Sequence, residues 1–215
     1  MSVKTKIMVL KRIRAGDYDL LIKAYSPLGT IDILVREGLI AGSKFFGLFE
    51  PFNILKVDLK QRGAVAVPQD ILHVNRLSLL CRDFERFMWM SWVCSFILKN
   101  VRFYDPYLFR TFYKYLIENP KKSYPAYRIK LILDFLELSG IKPVLLRQNV
   151  TGKRLKLRLS DGSVANDGDI EISPGVVRTI KRIGLSKEIG KIYVKPEYLQ
   201  EAEKVLNLYI EHHMR

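Results

Sequence analysis

Hydrophobic and polar positions alternate through the first third of the chain. In Thr30–Arg36, Ile31, Ile33 and Val35 fall on one face and Asp32 and Arg36 on the other, the two-residue period of a half-buried strand. Phe52–Leu59 alternates in the same way. Lys6–Arg12 and Asp19–Tyr25 are rich in apolar and β-branched residues, and Ala64–Val74 adds a last segment broken by Pro68. Turn chemistry separates these runs: Gly16-Asp17, Ser26-Pro27-Leu28-Gly29, a glycine-rich stretch from Gly38 to Gly47, and Gln61-Arg62-Gly63. The pattern predicts five short strands closing into a small barrel or sandwich.

A five-stranded Greek-key barrel of this length is an OB-fold, expected over residues 1–76. Residues 77–215 are expected to form a helical domain carrying a β-hairpin insertion at about 144–172, so the fold class is α+β with two domains. Leu77–Val101 lacks proline and glycine and repeats Leu80, Phe84, Phe87, Met88 and Trp92 at helical spacing. Its aromatics are read as core. Tyr104–Glu118 and Ala126–Leu138 are two further helices, with Gly140 as the C′ residue of the second. Val144–Val150 and Leu155–Leu159 read as a hairpin around Thr151-Gly152-Lys153-Arg154, followed by a polar loop over Ser160–Asp169. Ser173-Pro174 opens a helix expected to end at Gly184. Pro196 opens the last helix, with Leu199, Ala202, Val205, Leu206 and Tyr209 inward.

Charge narrows the class of partner. The chain has 36 Lys and Arg against 22 Asp and Glu, a formal charge of +14. The cations are spread along the chain rather than gathered in a tail, so a folded face, attractive to phosphate, is expected. Cys81 and Cys94 sit in apolar helical sequence at a spacing that fits no metal or redox motif. They read as small buried hydrophobes of a reducing compartment. The N-terminus has no signal-peptide pattern and no apolar run reaches membrane-spanning length, so a cytoplasmic protein with no membrane partner is expected.

The sequence holds no P-loop, GxGxxG, HExxH, GxSxG or CxxC. Asp161, Asp167, Asp169 and Glu171 cluster without the spacing of a calcium loop, and a solvated turn explains them. No enzyme activity, cofactor or metal is expected. A magnesium-dependent nuclease using those four acids is the remote alternative. The candidate chemistry is cationic. Lys11 and Arg12 lie on the first strand, Lys23 on the second and Arg36 at the end of the third. Lys44 stands beside Phe45 and Phe46, and Lys60 and Arg62 flank a turn. OB-folds bind strands in a groove of cations and stacking aromatics, which Lys44-Phe45-Phe46 would supply; the two rings fill the end of the barrel equally well. A second cluster comprises Arg147, Lys153, Arg154, Lys156 and Arg158, either a DNA contact or an ordinary solvated hairpin face.

The order of these motifs resembles the bacterial recombination mediator protein O (RecO) family. Ile7-Met8-Val9-Leu10-Lys11-Arg12, Gly16-Asp17-Tyr18-Asp19 and Tyr25-Ser26-Pro27-Leu28-Gly29 resemble its opening. Gly42-Ser43-Lys44-Phe45 with Leu48-x-Glu50-Pro51-Phe52, then Leu138-x-Gly140-x-x-Pro143, then Ile172-Ser173-Pro174, resemble its later segments. Many members carry a zinc ribbon between the last two. Here Gln148-Asn149-Val150-Thr151-Gly152 stands where those show C-x-x-C-G, and Asn166 and Asp169 stand in place of the second cysteine pair, so a metal-free ribbon held by Val144, Leu146, Leu155, Leu157 and Leu159 is expected. The resemblance implies binding of single- and double-stranded DNA and annealing of complementary strands. It also implies binding of the C-terminal tail of single-strand binding protein and, with recombination protein R, loading of RecA onto coated strands. The alternative is an adaptor for acidic tails whose DNA contact is secondary.

Overall fold

The computed structural model describes residues 2–118, 120, 123–149, 152, 155–186 and 188–214. By contact the chain divides into two compact units, 1–119 and 120–215.

The first unit opens with the strands β1 (Ser2–Ala15), β2 (Asp19–Ser26), β3 (Gly29–Val35), β4 (Ile54–Arg62) and β5 (Val65–Asn75). They close into a barrel in the order β1-β2-β3-β5-β4, with β4 returning to β1. All pairings are antiparallel except β3 with β5, which run parallel with Ile33 beside Ala66. This is the OB arrangement. The alternation sends Ile7, Val9, Ile22, Ile33, Leu55 and Val57 inward, all fully buried. Phe45 and Phe49, from the connection between β3 and β4, join that core edge to face. Pro68 is accommodated opposite Leu59, next to a register shift in the β4–β5 ladder, where a missing N–H costs least.

Two helices complete this unit, α1 (Phe84–Asn100) and α2 (Pro106–Ile117). The expected helix from Leu77 instead begins at Phe84. Leu77–Leu80 is a separate 3-10 turn, and Asp83, in extended conformation, accepts the Arg86 N–H and caps α1. Arg86, 3% exposed, donates through Nη2 to the carbonyls of Leu116 and Ile117, while Trp89 Nε1 donates to Tyr115 O at 2.8 Å. Three carbonyls of the last turn of α2 thus meet donors from α1, which satisfies orphaned acceptors with a cation at the negative end of the helix. The barrel meets these helices through Tyr25, whose hydroxyl receives the Asp105 N–H at 3.1 Å, and through Thr30 Oγ1, which donates to Val101 O at 2.9 Å. The contact divide therefore falls beyond α2. Position 76, the expected domain boundary, follows the last strand of the barrel.

The second unit holds α3 (Tyr124–Leu138), the short strands β6 (Leu155–Leu157), β7 (Val164–Ala165) and β8 (Ile170–Ile172), then α4 (Pro174–Leu185) and α5 (Pro196–His213). Gly140, at φ 77°, ends α3: its N–H bonds Glu137 O and that of Ile141 bonds Leu136 O, the two bonds of a Schellman motif. Ser173 caps α4 through the Val176 N–H, with Pro174 at the first position. Gly184 does not end α4. It stays out of the left-handed region, Lys130 Nζ donates to its carbonyl at 3.1 Å, and the helix runs on to Leu185.

The described part of the expected strand over Val144–Val150, residues 144–149, is not a strand. Val144–Leu146 is a 3-10 turn whose N–H groups at Val144 and Leu145 bond Asp161 O and Gly162 O. Pairing is instead β7-β6-β8, and β7 lies inside the segment read as a polar loop. Leu146, Leu155 and Leu157 are buried as expected, but Val144 is 44% exposed. The expected turn at Thr151, Lys153 and Arg154 lies outside the described residues. Among the described residues no helix is long and apolar enough to cross a membrane.

Candidate nucleic-acid interface

Strand register sorts the expected barrel cations into two groups. Arg36 follows the last residue of β3, three positions beyond Ile33, and Gln69 lies three positions beyond Ala66 in β5. The parallel pairing of Ile33 with Ala66 sets β3, whose end Arg36 follows, alongside β5. Lys44 Nζ donates to the Gln69 carbonyl at 2.5 Å and lies 4.8 Å from the Phe45 ring centroid. On the other flank of β5, Lys60 pairs with Val67 and Arg62 with Val65. Arg36, Lys44, Lys60 and Arg62 are all exposed, gather along the first half of β5, and form no ion pair among the described residues. The second group lies on β1 and β2. Lys11 and Lys23 are register partners, and Lys23 is neutralised by Asp32 Oδ2 at 2.6 Å. Arg12 is held by Glu50, and Lys11 is exposed and forms no ion pair among the described residues.

Phe45 and Phe46 part company. Phe45 is 8% exposed and belongs to the barrel core, so it fills the end of the barrel and offers no face to a base. Phe46 is 52% exposed. Connections without a regular period hide this difference from sequence reading.

Lys6 and Lys56, absent from the expected set, stand directly opposite each other across β1 and β4, with His73 next to Lys56 on β5. Like charges opposed across a ladder repel, and an external anion would relieve that cost. Lys6 also lies 5.6 Å and 5.7 Å from the ring centroids of Phe109 and Tyr113. Register alone reveals the opposition.

In the second unit, Arg158 forks onto both Asp167 oxygens at 2.7 and 2.9 Å, and Lys156 pairs in register with Glu171. Arg147 is exposed, while Lys153 and Arg154 lie outside the described residues. The ribbon face is thus mixed in sign. Its acids are also employed locally: Asp169 Oδ2 accepts the Leu159 N–H and Asp161 Oδ1 the Ser163 N–H. Gln148 and Asp169, which the resemblance sets in zinc-ligand positions, are engaged by main-chain hydrogen bonds and do not fit the ion, and Thr151 lies outside the described residues. Gln148 Nε2 donates to Val164 O at 2.8 Å and its Oε1 accepts the Val164 N–H at 2.7 Å, so both ends of the amide are engaged by the main chain. Among the described residues no group of His, Cys, Asp or Glu has the convergence of a metal site.

The closed barrel joined to helices is an OB-type architecture, a fold that serves oligonucleotide binding among other roles. The family model described as recombination protein O C terminal matches residues 81–215. A relative from Aquifex aeolicus (strain VF5), described as an uncharacterized protein, is 31% identical over 212 residues, which is 99% of this chain and 99% of its own. The chain belongs to the recombination protein O family, whose members mediate DNA recombination and repair.

Proposed function

We propose that this chain is a DNA-binding recombination mediator that holds single and double strands on its barrel, anneals complementary strands, and helps load RecA onto strands coated by single-strand binding protein, in concert with recombination protein R. The observation that carries the reading is the gathering of Arg36, Lys44, Lys60 and Arg62 along β5 without ion-pair partners among the described residues. Each cation set against a phosphate releases condensed counterions, so affinity needs no base readout. A surface that neutralises two strands lowers their mutual repulsion, and annealing follows without covalent chemistry. Action on chromosomal DNA places the protein in the cytoplasm, with the nucleoid.

The test is annealing of complementary oligonucleotides coated with single-strand binding protein, followed across a salt series. Acceleration at low salt that declines steeply as salt rises is expected. Annealing that is no faster than in the absence of this protein at any salt rejects the reading.

A second reading concerns the acidic, hydrophobic tail of single-strand binding protein. A cleft of about 540 Å³ between β1 and α1 has Phe52, Phe87 and Leu98 in its lining and Lys11 and Lys99 among its cations. Apolar floor and cationic rim suit such a peptide. Tail binding without detectable DNA affinity at low salt would favour an adaptor.

A further inference from the structure

The second unit carries a cationic cleft that none of the barrel residues shares. It measures about 300 Å³ and lies between α4 and the segment that leads into α5. Arg178 and Arg182, one helical turn apart on α4, are both exposed, and Lys195 stands on the opposite wall. Among the described residues no carboxylate lines the cleft. Lys195 has Glu197 at 3.9 Å, but both side chains are about two-thirds exposed and the pair is weak. Arg182 Nη1 donates to Tyr193 O at 3.3 Å, which ties the connecting segment to α4 and leaves most of the guanidinium donors free.

Two aromatic rings complete the cleft. Tyr198 packs so closely on Gly175 that a Cβ there would come within 2.5 Å of its ring, and Lys195 Nζ lies 5.9 Å from the same ring. Tyr193 is 83% exposed, the most exposed large hydrophobic side chain among the described residues, and it projects beside three cations. A ring held in water is ordinary by itself. A ring in water on the same cleft as two exposed guanidinium groups has the two elements that single strands require, a π-face for a base and donors for the flanking phosphates. Duplex DNA offers phosphates but keeps its bases stacked away.

We propose that Arg178, Arg182, Tyr193 and Lys195 form a single-strand binding site, in which an unpaired base stacks on Tyr193 and the adjacent phosphates lie against the two arginines. The site rests on the reading of the chain as a strand-binding protein and deepens it by assigning unpaired DNA to the second unit.

The full chain is irradiated with an oligothymidine carrying 5-iodouracil, and the cross-linked peptide is mapped by mass spectrometry. In parallel, affinity is measured for Tyr193→Ala, Tyr193→Phe and the double variant Arg178→Ala, Arg182→Ala. A cross-link at Tyr193 is expected. Tyr193→Ala should weaken single-strand binding about tenfold while Tyr193→Phe retains it. The arginine pair should flatten the log–log salt slope by about 1.4, two contacts at about 0.7 each. Native circular dichroism in all three variants excludes loss of fold. Wild-type affinity in the variants and no cross-link within 190–198, with affinity still lost in Lys44→Ala, overturns this site and leaves the barrel reading standing. A cleft that takes an acidic peptide and not the oligonucleotide overturns it as well. A wild-type chain that binds no oligonucleotide at low salt overturns both.

Discussion

Gln148 and Val164 exchange two hydrogen bonds, side-chain amide to main chain, at 2.8 and 2.7 Å. The amide of Gln148 thereby serves β7 as a neighbouring strand residue would. Gln148 is fastened in turn through its own carbonyl, which accepts from Lys181 Nζ at 2.6 Å. This pair of neutral hydrogen bonds fastens the segment after Val144–Leu146 to β7 without a metal ion.

Replacing Gln148 by Ala should leave the Val164 N–H and C=O without partners beneath a buried side chain. The expected cost is about 2 kcal/mol. Chelator should have no effect on either the wild type or the variant. Urea denaturation with and without chelator reads both effects, and a chelator-sensitive midpoint would contradict the metal-free ribbon.

The unpaired and paired cations should separate in binding. Arg36→Ala with Lys44→Ala should lower single-strand affinity and reduce the salt slope by about 1.4. Arg12→Ala with Lys23→Ala removes charges already matched by Glu50 and Asp32, so its slope should change less. Equal slopes for the two double variants would mean that the internal ion pairs open on binding.

Phe45 and Phe46 should separate in stability. Phe45→Ala empties a buried position against Phe49 and should cost about 3–5 kcal/mol. Phe46→Ala, on a half-exposed ring, should stay within about 0.5 kcal/mol of wild type. Thermal melts decide this, and a large loss for Phe46→Ala would place its ring in the packing.

Glu203 gives a pH signature. Burial pushes its carboxyl above the usual range, and Arg128, 3.7 Å away, offsets this only in part. A raised value in the folded state means that its contribution to stability is complete below the unfolded value. That contribution is lost as pH rises through the folded one. Glu203→Gln should therefore match wild type near pH 4 and equal or exceed it near pH 7. Paired urea titrations at the two pH values measure the difference. A variant that is less stable only near pH 7 would show that the pair with Arg128 outweighs burial.

The barrel was legible because alternation reports burial directly. Ile31, Ile33 and Val35 were read on one face, and of these Ile33 and Val35 are fully buried. The helical caps at Ser173 and Gly140 were legible for the same local reason. What escaped was decided over distance. The Asp83 cap overrode an apolar run and delayed α1, and bonds from Asp161 and Gly162 turned Val144–Leu146 into a 3-10 turn. Charge pairing was the least legible property. Arg12 meets an acid 38 positions away, and Lys23 meets one on the neighbouring strand. Local composition therefore overstated how many of the cations are available to DNA.

The seat of Tyr25 bears on how this barrel can be inherited. Its fully buried ring lies 5.9 Å from Phe109 and 6.0 Å from Phe112, and its hydroxyl holds the start of α2. A gene truncated after β5 would bare that ring, together with the Thr30 hydroxyl that now reaches α1's end. Recombination between genes could not pass the barrel on as a free-standing cassette; α1 and α2 would have to travel with it.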